Sequence, residues 1–485
     1  MLDSPTQIDS SERGGNVKTD SEFKLETDEI NTSNKNNQIS FEEPIQIENP
    51  IEVKVGEEDL KSLEENFLKN KIIIDEDHLM IPNKLSGLKT SKGNYYMKMI
   101  KKYSEEQKKK HKGFINSLKD KDKLDAKFHF SDFYKKGTRS SVQVLRSACN
   151  WSVGLTIPEH SILNAYYHLI DTSKHYIYIE NQFFVSKSFT EEERKECKNV
   201  TSKVVENEIA WHIRKRIEKA YANKEKFRVY VFIPLLPGFA GEPEQSSTLQ
   251  IILKHTYAGI CRNYGLSLIE QLEKIMGNEW ENYIGFYSLR THCLINNVPE
   301  TELIYIHSKL MIIDDTTVLI GSANINDRSM LGTRDSEFAV VIKEKKRIAM
   351  KMNNENYIGA KFAIGFRKQL MSEHLGINVN DNILDDPVSD SLFHLFKSSA
   401  KNNTVLYREL FGCYPDDKYK SFVDLKEYYK NKTMEDYNNL IKLYQEKKDS
   451  FKGHIVEFPL HFLEKENLGI GFFAVENLIP ERNFT

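Results

Sequence analysis

Hydrophobic and polar positions change character three times along the chain. Residues 1–85 carry isolated Ile and Val among Asn, Ser, Asp, Glu and Lys. No period is sustained there, which predicts a disordered low-complexity tail. Residues 86–140 contain "KGNYYMKMIKKYSEEQKKKHKGFINSLKDKDKL" and read as a basic helical linker. From 141 to 375 apolar runs alternate with amphipathic ones. "HYIYIENQFFVS" and "FRVYVFIPLL" read as strands, with the helical pattern "VENEIAWHIRKRIEKAYANK" between them. "STLQIILKHTYAGICRNYG" and "SLIEQLEKIMG" read as helices; "NYIGFYSLR", "TELIYIHSKLMIID" and "TVLIGSA" read as strands. This alternation predicts an α/β class, an α-β-α sandwich around a mixed sheet. Residues 376–485 turn polar and helical ("DLKEYYKNKTMEDYNNLIKLYQEKK") and read as a C-terminal helical extension and tail.

Composition narrows the choices. The chain has 485 residues, 39% hydrophobic and 29% charged, enough for a sizeable core and a well-solvated surface. A net charge of -3 gives no general reason to expect nucleic acid as a partner. The five cysteines are scattered and none forms CxxC. That argues against a disulfide framework or a zinc site and suits a reducing, cytoplasmic compartment. The N-terminus "MLDSPTQIDSSERGG" has no basic stretch leading into an apolar one, so no secretory signal is expected. "VYVFIPLLPGFAG" is too short and proline-punctuated to span a bilayer, so any membrane role is expected to be peripheral.

The chemistry concentrates in "IHSKLMIIDDTTVLIGSANINDRS", Ile306 to Ser329. On a strand, residues two apart share a face, so Tyr305, His307 and Lys309 are expected on one side. Asp314 to Thr317 form a plausible hairpin turn. The returning strand then brings Gly321, Ser322 and Asn324 beside the histidine, and Gly321 permits close backbone approach. An imidazole, an ammonium, an amide and a hydroxyl together suit a phosphodiester. Lys309 and Asn324 hold non-bridging oxygens while His307 acts as nucleophile or proton donor. No acidic cluster accompanies the motif, so no metal and no cofactor are required.

The spacing H-x-K-x4-D-x6-G-S-x-N resembles the second HKD motif of eukaryotic phospholipase D, and the match continues through "SMLGTRDSEFAVVI". "VQVLRSACNWSVG", "SILNAYYHLIDTSKHYIYIENQFF", "IPLLPGFAGE", "TELIYIHSKL" and "DPVSD" follow the order of that family's C-terminal catalytic half, over about residues 141–485. The family's usual chain ends in a hydrophobic residue followed by Thr, and "NFT" (Asn483 to Thr485) fits this. The resemblance implies one of the two usual halves of a phospholipase D-like fold, and hydrolysis of phosphatidylcholine to phosphatidic acid and choline through a phosphohistidine. It makes His307 the general acid, Lys309 and Asn324 phosphate-binding residues, and Ser322 the neighbouring hydroxyl. Asp314 completes the catalytic motif, though as a residue it reads as a structural ion-pair partner. Glu337 matches a carboxylate that orients a histidine across the site. Taken alone, it reads as a surface glutamate.

Two-motif members carry an earlier HxKxxxxD. Of the fourteen histidines only His307 satisfies the pattern. Three explanations follow: two copies pair, each giving one His307; a separately encoded N-terminal half completes the site; or the chain is a silent lipid-binding half-domain. Isologous pairing is the commonest symmetry. A nuclease-type phosphodiesterase on the same fold is a further alternative, against which the net charge speaks. The expected partners are a phospholipid membrane surface and a second catalytic half, with no nucleic acid. Glu180, Asn181 and Gln182 form a polar insert in an apolar run and are expected at the substrate-binding edge. Trp151 is expected to pack. The Lys98–Lys123 run reads as a solvated helix, with anionic headgroup contact as the alternative.

Overall fold

The structure, a computed structural model, describes residues 139–468 apart from 196, 198–204, 240 and 431–433. All belong to one unit, Asp122–Thr485. The 1–85 tail, the basic linker with its Lys98–Lys123 run, and Asn483–Thr485 lie outside the described residues.

Among the described residues ten strands form one mixed sheet. They are β1 (Ser140–Ala148), β2 (Glu159–His160), β3 (Tyr176–Asn181), β4 (Arg228–Phe232), β5 (Ile284–Ile295), β6 (Val298–Ile304), β7 (Lys309–Ile313), β8 (Thr317–Gly321), β9 (Glu337–Glu344) and β12 (Ile455–Glu457). A separate hairpin, β10 (Arg347–Met352) with β11 (Glu355–Ala360), follows β9. The sheet order is β12-β5-β4-β3-β7-β8-β9-β1-β2, with β6 paired only to β5. β3, β4 and β5 run parallel, and β7 returns antiparallel against β3.

The period-2 alternation of β3 builds both faces of the core. Ile177 and Ile179 join Val229, Val231, Met311 and Leu319 on one face. Helices α1 (Ser161–Thr172), α2 (Ile209–Ala222), α3 (Ser247–Ile260) and α4 (Leu268–Met276) cover that face through Ile162, Ile170, Ile213 and Leu272. Tyr176 and Tyr178 join Tyr230, Phe232, Ile312 and Val318 on the other face. Helices α5 (Lys361–Leu375) and α6 (Asp390–Phe411) cover it through Met371, Leu392 and Phe396. The expected α-β-α sandwich with a mixed sheet is what forms. Each buried aliphatic or aromatic side chain contributes roughly 1.5–3 kcal/mol. Serine caps fix several helix starts: the Ser267 side chain accepts from the Glu270 N–H, and Glu270 reaches back to the Ser267 N–H.

Three features differ from expectation. "TELIYIHSKLMIID" is not one strand: β6 stops at Ile304 and β7 starts at Lys309. β6 pairs only with β5, whereas β7 pairs with β3 and β8, so the chain must leave the ladder at 305–308 to change partners. The region 376–485 is more than a helical extension, because β12 adds to the sheet edge beside β5 and Phe458, Phe462 and Leu463 enter the core under α1–α4. Trp151 does not pack; it is 68% exposed. All five cysteines are free.

Candidate active site

The turn that carries the motif is held by its two aspartates. Asp314 and Asp315 both take positive φ, 51° each, and the Thr316 N–H donates to the Ile313 carbonyl at 2.9 Å. Aspartate tolerates this left-handed backbone better than most residues. β8 then runs back to Gly321, which lies opposite Ala339 of β9. A Cβ on Gly321 would come within 2.3 Å of the Phe338 carbonyl oxygen, so only glycine lets the two strands approach this closely. That approach sets Ser322 against Glu337.

Around the 305–308 loop the polar side chains converge. Lys309 is buried, and its ammonium donates to Gln182 Oε1 at 2.8 Å and to the His307 carbonyl at 2.7 Å. Gln182 in turn donates to the Tyr305 hydroxyl at 2.9 Å, and that hydroxyl accepts from the Gly238 N–H at 3.0 Å. Burial pushes the Lys309 ammonium down to about 8, and the Glu337 charge opposes the shift. Glu337 accepts hydrogen bonds from both the Ser322 and the Ser329 hydroxyls, the latter at 2.7 Å. Asn324 is half-buried, and its amide oxygen has no hydrogen-bond partner among the described residues. The His307 imidazole is exposed and lies 6.3 Å from the Tyr305 ring, centre to centre. Lys309, Gln182, Ser322, Glu337 and His307 thus gather at one end of β7, β8 and β9.

The structure takes other expected residues away from that group. Asp314 sits at the far end of β7 from Lys309, and its carboxylate accepts the backbone N–H groups of Lys174, His175 and Tyr176 at 2.7, 2.8 and 2.8 Å. Among the described residues it makes no ion pair, and it lies at the opposite end of β7 from Lys309; it anchors the start of β3. Burial pushes its carboxyl up, against those three donors. The ion pair at this turn belongs to Asp315, which meets Arg367 of α5 at 2.9 Å, both fully buried. Asn181 is fully buried, and its carbonyl oxygen accepts from the Phe183 and Ile325 N–H groups at 3.1 and 3.0 Å. It ties the loop after β8 to β3. Glu180 faces the opposite side of the sheet, where it meets His374. Of the polar insert, only Gln182 contacts the Lys309 group.

Sequence reading missed Gln182's role as the bridge, and it missed Ser329, Ser308 and His374. Ser329 carried a usable signal, lying eight residues before Glu337 at a helix start. His374 carried none. A cavity of about 690 Å³ is lined by Arg290, Glu300, Glu409, Phe411 and Tyr414 among others and does not include His307.

A histidine, a lysine, a serine and an asparagine carried along one β-hairpin of a mixed α/β sheet make up an HKD-type motif. A family model described as Phospholipase D matches residues 119–300 and 291–411. The chain belongs to the phospholipase D family. It is 41% identical to Phospholipase D1 of Homo sapiens over 350 residues, which are 71% of this chain and 31% of that protein. It is 41% identical to Phospholipase D2 of Bos taurus over 347 residues (71% and 35%), and 37% identical to Phospholipase D zeta 1 of Arabidopsis thaliana over 360 residues (68% and 32%). The chain thus spans about a third of the length of these relatives. Among solved structures, NucT from Helicobacter pylori is 14% identical, covering 42% of this chain and 86% of that chain, with a TM-score of 0.23. Nuc from Salmonella typhimurium is 19% identical, covering 42% and 84%, with a TM-score of 0.20. Among the described residues no helix is long and apolar enough to cross a membrane.

Proposed function

We propose that the chain is a phospholipase D-type phosphodiesterase that hydrolyses phosphatidylcholine to phosphatidic acid and choline, in concert with a second catalytic half. The observation that carries this reading is the Lys309 ammonium. Gln182 and the His307 carbonyl fix it beside an exposed imidazole, with Ser322 and Glu337 across the hairpin. Lys309 and Asn324 neutralise and hold the phosphoryl oxygens. A histidine of the second half attacks phosphorus, and His307 protonates the choline oxygen as the P–O bond breaks. His307 then takes a proton from water, whose oxygen attacks phosphorus and displaces the histidine nitrogen as the P–N bond breaks. A small alcohol in place of water gives a phosphatidyl alcohol.

The partner is a second copy of this chain or a separately encoded N-terminal half. Two observations support a partner. The His307 side chain is exposed, and Val142, Val144 and Phe338 are 55%, 60% and 55% exposed on β1 and β9, with Phe338 adjacent to Glu337. Work at the cytoplasmic surface of a membrane, as a peripheral protein, suits both the substrate and the absence of a spanning helix among the described residues.

Size exclusion with light scattering, paired with choline release from phosphatidylcholine vesicles by wild type and His307→Ala, tests the reading. An active dimer silenced by the substitution supports self-pairing. Activity that appears only when an N-terminal half is added supports the split site. Choline release undiminished in His307→Ala overturns both.

A further inference from the structure

Behind the His307 loop lies a buried pair that the proposed chemistry leaves unused. His374, in the last turn of α5, places Nε2 2.9 Å from Glu180 Oε1 and 3.0 Å from the Tyr178 hydroxyl. The Tyr178 hydroxyl donates to the same carboxylate oxygen at 2.5 Å. Glu180 and His374 are each 5% exposed. Phe232 covers the imidazole, ring centres 4.6 Å apart, and the His374 carbonyl accepts from the His454 N–H at 2.9 Å. The imidazole is therefore held at both its ring and its backbone.

A carboxylate in such a place is costly unless it is paired and hydrogen-bonded. Burial alone would raise the Glu180 carboxyl; the His374 hydrogen bond and charge, then Tyr178 and Ser308, hold it below the usual range. Glu180 lies opposite Leu310 in the β3–β7 ladder, one step from Lys309. The Ser308 side chain is within hydrogen-bonding reach of the same carboxylate. The 305–308 loop has left the sheet, so side chains hold it. Tyr305 is tied by Gln182 and Gly238 at one end, and Ser308 approaches the Glu180 carboxylate at the other.

We propose that His374 and Glu180 are positioning residues for His307: the His374 imidazole fixes the carboxylate beneath the loop, the carboxylate fixes Ser308, and Ser308 sets where the imidazole of the preceding residue, His307, stands. The inference rests on the reading of His307 as a catalytic residue. It assigns to α5, on the far face of the sheet, a direct hand in the geometry of the site.

The test compares His374→Ala, His374→Gln, Ser308→Ala and the double variant His374→Ala/Ser308→Ala. Gln keeps an N–H donor near the place of Nε2. Choline release is expected to show kcat reduced about tenfold in each alanine variant, on the scale of one lost hydrogen bond, with KM nearly unchanged. Gln should restore most of it, and the double variant should be no worse than either single one, because both act through one link. A second readout needs no turnover. In protein labelled at histidine Cε1, the His307 signal, identified by its loss in His307→Asn, should become more mobile in His374→Ala and in Ser308→Ala and recover in His374→Gln. If that signal does not move, or the kcat losses multiply, His374 serves only the core and the inference fails. If wild type releases no choline with any partner, the catalytic reading fails while the histidine signal still decides the positioning link.

Discussion

Lys309 and Gln182 meet across the β3–β7 pair, ammonium to amide oxygen, at 2.8 Å. Gln182 lies one residue beyond Asn181, the register partner of Lys309, so the amide reaches over the end of the ladder. Its N–H₂ end is taken by the Tyr305 hydroxyl, which fixes its orientation toward the lysine. Gln182→Ala is expected to release both Lys309 and Tyr305. Loss of two hydrogen bonds, about 1 kcal/mol each, should lower kcat/KM by roughly ten- to thirtyfold. The melting temperature should change little, because Gln182 is only half-buried. Steady-state choline release alongside a thermal melt checks both halves of the expectation.

Lys309 sets an alkaline limit. Burial depresses its ammonium to about 8, so it is charged below that pH and loses its charge as pH rises through it. Inorganic phosphate as a competitive inhibitor should therefore bind more weakly above about pH 8. Glu337 holds the ammonium value up, so Glu337→Gln should move the loss of binding to lower pH. In the range between about 8 and the ordinary lysine value, the unfolded chain binds more protons than the folded one, so this group's contribution to stability rises with pH. The inhibition constant of phosphate, measured across pH for both proteins, decides it. A flat profile, or a shift upward in the variant, would contradict the assignment.

Asp314 is a stability residue here. Its carboxylate takes three backbone donors at the start of β3. Asp314→Ala leaves those N–H groups without a partner, at a cost of about 2–4 kcal/mol. Urea unfolding should register that loss. The Km for substrate and the pH profile of the remaining folded enzyme should be unchanged.

Asp315 and Arg367 behave differently from a surface pair. Both are fully buried; Arg367 also donates to the Leu384 carbonyl at 2.7 Å, and the Tyr176 hydroxyl donates to Asp315 at 2.7 Å. Asp315→Ala strands a buried guanidinium and should destabilise by about 3–5 kcal/mol. Replacing both by apolar residues of similar volume should recover much of that. Chemical denaturation of the single and double variants reads the difference, and a single-variant loss under about 1 kcal/mol would show that water reaches the pair.

The sheet and most of its helices were legible because their signals are local. The periods of β3, β4, α2 and α4 lie in single runs of ten to twenty residues, and the hairpin turn was marked by adjacent aspartates. The break between β6 and β7 was invisible for the opposite reason. Ile304, Ile306 and Leu310 keep an apolar alternation through the loop, and Ile306 is buried without being in a strand. What ended the strand was a change of pairing partner, which no run of residues records. The same holds at the site. His307, Lys309, Ser322 and Asn324 were readable from spacing, but the role of Asp314 depends on donors nearly 140 residues away, and Gln182 reaches Lys309 because it lies just past the end of β3, whereas Glu180, still within the strand, meets His374. β12 was missed because three residues carry no period of their own; it is the edge of β5 that makes them a strand.

The central claim is that His307 is half of a phosphohistidine site, and transfer to an alcohol tests it most directly. The chain, alone and with an N-terminal half supplied, is incubated with phosphatidylcholine vesicles and ethanol, and phosphatidylethanol is measured by mass spectrometry. Wild type should form phosphatidylethanol at the expense of phosphatidic acid, and His307→Asn should form neither above background. Equal product from His307→Asn, or phosphatidic acid without any phosphatidylethanol from wild type, would contradict it.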